Sequence, residues 1–174
     1  MTLLEKLNAP RKPNVIIVLA DDLGYGDLGC YGQKRIQTPN IDRLAAEGVR
    51  ATSFYVAWPA CTPSRGSILT GRYPQRNGLY DMVRNDLVNY GHRFTAEEYA
   101  VSPEMTLGLD GREKTIGDML KRAGYATGVV GKWHLGLGPA GGPDWNGEIR
   151  PAPEDIGFDS SFIMAATGDR VPTV

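Results

Sequence analysis

Residues 14–22 read NVIIVLADD, a continuous aliphatic and β-branched run halted by two adjacent acids. A run that is apolar on both faces predicts a strand covered on both sides, as in the centre of a parallel sheet. In open α/β sheets ligands collect beyond the carboxyl ends of the strands. Asp21 and Asp22, with the glycine-rich loop LGYGDLGCYG behind them, therefore stand where a site is expected.

Working outward, Thr38-Pro39-Asn40 opens a helix: Thr38 can cap, Pro39 suits the first turn, Ile41, Leu44 and Ala45 share a face, and Gly48 ends it. Val49–Val56 alternates weakly and is a second strand candidate, broken by Trp58-Pro59. CTPSRGSILTG at 61–71 reads as a helix with a thiol at its positive end. Residues 73–112 show no clear period and predict a loop excursion with one short helix. Thr115 with Asp118 forms a capping pair before the stripe Ile116, Met119, Leu120 and Ala123, which Gly124 closes. Tyr125–Val130 is a third strand running into GKWHLG, and residues 136–153 read as an extended surface loop.

The order strand, helix, strand, helix, helix, strand predicts an α/β fold, a partial parallel or mixed sheet flanked by helices. It forms one domain over 14–174 after a lead-in at 1–13. The 174 residues, 41% hydrophobic with 22 glycines and 12 prolines, suit a loop-rich domain with a real core. A net charge of −1 gives no basic excess for nucleic acid or an anionic membrane. The longest apolar run, VIIVLA at 15–20, is too short for a membrane span. MTLLEKLNAPRKPN lacks the order of a secretory signal, so the expected location is cytoplasmic, or periplasmic or secreted if a leader is missing.

Three separated segments are thus predicted to deliver polar groups to one sheet edge: Asp21-Asp22, the start of the Cys61 helix, and Lys132 with His134. Adjacent carboxylates suit a hard divalent cation, Ca²⁺ or Mg²⁺. Arg65, Lys132, His134 and the amides at a helix start suit a tetrahedral anion. A metal facing cations across a nucleophile is the layout of ester hydrolysis at sulfur or phosphorus. The thiol itself leaves alternatives. A thiol phosphatase needs an arginine where this chain has Ser67. Cys30, Cys61, His92 and His134 match no recognised zinc spacing. A papain-like Cys61–His134 pair would leave the acids and Arg65 unexplained. Burial of Cys61 as a small hydrophobe is the plain alternative.

CTPSRGSILTGR resembles the sulfatase signature Cys-x-Pro-Ser-Arg with its following helix and Thr-Gly-Arg. NVIIVLADDLGYGDLGCYG resembles the opening of that family, TPNIDRLAAEGVR its first helix, and GKWHLG its second signature, in the family's order over residues 14 to about 138. The resemblance implies an alkaline phosphatase-like fold and a sulfuric ester hydrolase. It implies oxidation of Cys61 to formylglycine by a formylglycine-generating enzyme, which reads the segment containing Pro63 and Arg65 before folding. A hydrated aldehyde can attack sulfur with one hydroxyl and release sulfate when the other is deprotonated, which a serine cannot do.

By position, the resemblance implies that Asp21, Asp22 and the modified Cys61 bind the cation, usually Ca²⁺. Arg65 would steady the diol and the sulfate, Lys132 would contact a sulfate oxygen, and His134 would bond the diol and assist its proton movements. Ser64 would support the helix start. Expected partners are a sulfated small molecule or glycan. Related alternatives are a phosphonate or phosphodiester hydrolase, and an inactive anion-binding module. Sulfatases are far longer, so the chain reads as the opening part of one, with too few metal ligands to turn over substrate alone. Packing roles are expected for Trp133, Trp58, Tyr73 and Asp27, a structural thiol for Cys30, and a surface position for His92.

Overall fold

A computed structural model describes residues 12–81, 88–89, 92–93, 108–138, 144 and 146–165, with backbone alone at 88–89 and 92–93. The chain divides into two compact units, 1–52 and 53–174.

In the first unit α1 spans Pro39–Glu47, with proline in its first turn and Gly48 donating its N–H to Leu44 O. Thr38 sits at the cap position, but its hydroxyl does not cap the helix. Instead Thr38 Oγ1 accepts from Gly29 N at 2.8 Å and donates to Asp42 Oδ1 at 3.0 Å. Asp42 Oδ1 also accepts from Cys30 N at 2.6 Å. The glycine-rich loop is therefore clipped to the start of α1 by its backbone amides. Tyr31 donates to Ala51 O at 2.8 Å and lies beneath the Arg50 guanidinium, which ties the same end of the loop to the segment after α1.

The expected central strand at 14–20 is not one: no strand occurs among the described residues of this unit, and Val15 to Leu19 are exposed by 40–88%. A strand exists only through its neighbours, so an apolar run is necessary for it but does not create the ladder. The candidate at 49–56 fails likewise, with Val49, Phe54, Tyr55 and Val56 exposed and unassigned to any strand.

In the second unit α2 spans Cys61–Thr70 and closes on Gly71, α3 spans Pro74–Asn77, and α4 spans Ile116–Arg122. A short antiparallel pair, β1 at Val88–Asn89 and β2 at His92–Arg93, lies within the stretch where one short helix was expected; that helix is α3. The third expected strand does form, as β3 at Gly128–Lys132. It pairs in parallel with β4 at Ser160–Met164, in register from Gly128↔Ser160 to Lys132↔Met164. Sequence reading did not anticipate β4. Successive side chains alternate faces: Val129 and Ile163 lean on the core, whereas Val130 and Phe162 are 79% and 83% exposed on the other side.

The core gathers Leu79, Leu109, Trp133, Leu135, Leu137, Ile156 and Phe158, with Trp133 and Phe158 meeting edge to face at 6.3 Å. Trp133 packs as expected, while Leu137 and Gly138 are buried at the start of the expected surface loop. The capping pair of α4 also forms: Thr115 Oγ1 accepts from Asp118 N, and Asp118 Oδ2 accepts from Thr115 N, each at 3.1 Å. The Thr115 hydroxyl further donates to Ile156 O at 2.6 Å, which ties α4 to the short helix Pro153–Ile156. Among the described residues no helix is long and apolar enough to cross a membrane.

Gly157 marks the closest approach. Its φ is +100°, and a Cβ there would stand 2.1 Å from the amide nitrogen of Asp118. Gly157→Ala is expected to destabilise the protein by about 3 kcal/mol in urea denaturation. Gly111→Ala, where a Cβ meets nothing within 4 Å, should fall within about 0.5 kcal/mol of wild type.

Asp159 joins α4 to the entry of β3. Lys121 Nζ lies 2.7 Å from its carboxylate, and Thr127 donates its amide to it at 2.9 Å. These donors, Lys121 foremost, hold its pKa at about 2. A carboxylate depressed on folding stabilises the fold above its unfolded pKa, near 3.9, and that stability is lost as pH falls toward 2. Asp159→Asn should thus lower the denaturation midpoint at pH 7, and the gap to wild type should narrow between about pH 4 and pH 2.

Candidate active site

Cys61 is the first residue of α2, half-buried and unpaired with the other cysteine; both thiols are free. The chain enters the helix in extended conformation at Ala60, whose carbonyl accepts from Ser64 N at 3.1 Å. The Ser64 hydroxyl donates to Trp58 O, which anchors the approach to the helix. Thr62, Pro63 and Ser64 are buried, so only the front of the first turn is open. Gly66 lets the helix lie down on the core, since a Cβ there would be 2.5 Å from Leu79 Cδ1.

Lys132 ends β3 and His134 follows two residues later. The segment is fixed from two sides. Its donors go to the β4 strand end: Trp133 N to Met164 O at 2.9 Å, and His134 N to Ala165 O at 3.0 Å. Its acceptors go to α2: Lys132 O takes Arg65 Nη1 at 2.5 Å, and His134 O takes Thr62 Oγ1 at 2.6 Å. Leu135 O accepts from Leu109 N at 2.8 Å, and Trp133 Nε1 donates to Gly136 O at 2.9 Å. Between these ties His134 adopts φ +55°, a left-handed backbone that a residue carrying a Cβ avoids unless its surroundings enforce it.

The structure therefore joins the two segments that carry four of the residues singled out by sequence: the Cys61 helix with Arg65, and the strand end with Lys132 and His134. Arg65 has a further duty that its sequence context did not disclose, as an anchor between helix and strand. Thr62 escaped sequence reading altogether. No local signal marks it, because the acceptor of its hydroxyl lies 72 residues away in sequence.

Asp21 and Asp22 belong to the first unit and are exposed there, Asp22 with a left-handed backbone at φ +56°. Two adjacent, solvent-facing carboxylates fit a hard cation in donor type, but Ca²⁺ takes about six to eight oxygens. Among the described residues no group of three or more His, Cys, Asp or Glu side chains gathers to complete such a shell. Cys30 is half-buried beside α1, in keeping with a structural thiol. The His92 side chain lies outside the described residues.

A parallel strand pair whose end is bound to a helix bearing a thiol at its start defines an α/β protein with a strand-end site. Comparison with known proteins makes the class definite. The sulfatase family model matches residues 13–169. N-acetylgalactosamine-6-O-sulfatase of Bacteroides thetaiotaomicron is 49% identical over 165 residues, 94% of this chain and 29% of that protein. A solved structure concerned with glycosaminoglycan metabolism in the same organism has a TM-score of 0.78 at 48% identity, covering 94% of this chain and 30% of the other. Another, in complex with its substrate D-glucosamine-2-N,6-O-disulfate, has a TM-score of 0.57 at 33% identity, covering 76% and 22%.

The chain belongs to the sulfatase family and has the α/β, alkaline phosphatase-like fold of its neighbours. It spans under a third of the length of the relatives it matches. Sulfatases generally use a formylglycine and a divalent metal.

The anchoring contact of Arg65 can be measured. Its hydrogen bond to Lys132 O is charge-assisted, so Arg65→Ala should cost about 1.5–3 kcal/mol of stability. Arg65→Lys, which keeps the charge without the planar fork, should recover only part of it. Unchanged urea midpoints in both variants would show that the contact does not support the fold.

Proposed function

We propose that the protein carrying this chain hydrolyses sulfate esters, with residue 61 as formylglycine. The observation that carries the reading is the pair of bonds from Arg65 and Thr62 to Lys132 O and His134 O. They join the two signature segments, CTPSR and GKWHLG, at one place. The amides of the α2 start, with Arg65, Lys132 and His134, make that place suited to a tetrahedral anion.

In this reading Cys61 is a precursor, oxidised by a formylglycine-generating enzyme before the chain folds. The burial of Thr62, Pro63 and Ser64 favours that order, since the segment to be recognised is hidden afterwards. Residue 61, as the hydrated aldehyde, attacks sulfur with one hydroxyl as the S–O bond to the departing alcohol breaks; deprotonation of the second hydroxyl then restores the aldehyde and breaks the C–O bond, releasing sulfate. Asp21 and Asp22 would contribute to holding Ca²⁺, or Mg²⁺, which when bound would neutralise charge on the ester oxygens. Lys132 contacts a sulfate oxygen, Arg65 steadies the sulfate, and His134 shares and moves a proton with the diol.

Two similar proteins support a sulfated amino sugar as the substrate: one is named N-acetylgalactosamine-6-O-sulfatase, and another was solved in complex with its substrate D-glucosamine-2-N,6-O-disulfate. Sulfated amino sugars of glycans are therefore the first substrates to try.

Co-expression with a formylglycine-generating enzyme should convert the Cys61 peptide from thiol to aldehyde by mass spectrometry. The modified gene product should hydrolyse aryl sulfate and 6-O-sulfated amino sugars, with a loss of at least about 1000-fold in Cys61→Ala. Full activity with an unmodified thiol would contradict the reading, and faster turnover of an aryl phosphonate than of the sulfate would reassign it.

A further inference from the structure

We propose that Thr62 is a positioning residue for His134. The proposal rests on the hydrolase reading and adds a residue to it. His134 is 2% exposed and holds a left-handed backbone at φ +55°. That conformation turns the carbonyl of residue 134 out of the line of a strand ladder, so it needs a donor from elsewhere. Thr62, 0% exposed, provides it: the hydroxyl donates to His134 O at 2.6 Å across 72 residues of sequence. On the other side, His134 N donates to Ala165 O at 3.0 Å. The peptide groups on both sides of the His134 Cα are thereby fixed, and the direction of its Cα–Cβ bond with them.

Thr62 directly follows Cys61, so one turn of helix carries both the nucleophile precursor and the group that orients the imidazole. The bond ties the backbone of His134 directly to the helix turn that bears Cys61. An apolar residue of equal shape would fill the same volume but leave the His134 carbonyl without this donor, and the left-handed conformation would lose its tie to the helix.

The test uses Thr62→Val and Thr62→Ser in the full gene product, with rates expressed per formylglycine formed. Thr62→Val is expected to lower kcat about tenfold, with KM within about twofold, as for misplacement of a reacting group. It should also move the imidazole ¹H–¹⁵N signals of His134, identified by their loss in His134→Gln. Thr62→Ser should restore both readouts. Loss of stability in Thr62→Val with unchanged kcat and unmoved imidazole signals would overturn the proposal, as would failure of serine to restore the signals. If the wild-type protein hydrolyses no sulfate ester, the hydrolase reading falls, and the imidazole spectra alone still decide the role of Thr62.

Discussion

Everything at the candidate site depends on how residues 132–135 spend their backbone hydrogen-bonding groups. A strand end that runs into a loop ordinarily leaves its polar groups to water. Here the amides of Trp133 and His134 are taken by Met164 and Ala165, and the carbonyls of Lys132 and His134 by Arg65 and Thr62. Buried peptide groups are costly to leave unmet, at about 1–3 kcal/mol each, so this pairing constrains the segment strongly. It permits a left-handed histidine, and it holds the first turn of α2 to the strand by contacts that no shift of register could preserve. Packing reinforces it, since Trp133 and Leu135 are core residues flanking His134.

The same economy governs the glycine-rich loop of the first unit. Two consecutive amides, Gly29 and Cys30, are met by Thr38 and Asp42 at the start of α1. Thr38 thereby serves the loop in place of the helix end that its sequence position advertises. Asp21 and Asp22 precede this clipped loop.

Helices, caps and signature segments were legible in the sequence because their causes are local. Proline at the start of α1, the Thr115–Asp118 pair and the glycines after α2 and α4 act within a turn or two. Strands were less legible. Asn14–Ala20 has the composition of a buried strand yet lacks a ladder among the described residues, whereas Ser160–Met164 lacks a clean alternation yet pairs fully with β3. Pairing is settled by partners far away in sequence, which no window of residues contains. At the candidate site Cys61, Arg65, Lys132 and His134 stood out by residue type, and the structure joins the segments that carry them. The contribution of Thr62 was not, because a hydroxyl becomes informative only when its acceptor, 72 residues away, is known.

The central claim is that Arg65 grips the backbone at the end of β3. Through-hydrogen-bond NMR couplings test it most directly, comparing the Arg65 guanidinium nitrogen and the Lys132 carbonyl carbon with the Trp133 amide and Met164 carbonyl as internal standard. A resolved Arg65–Lys132 correlation alongside the standard is the expected result. Detection of the standard with no such correlation, or with Arg65 coupled to another carbonyl, would contradict the account.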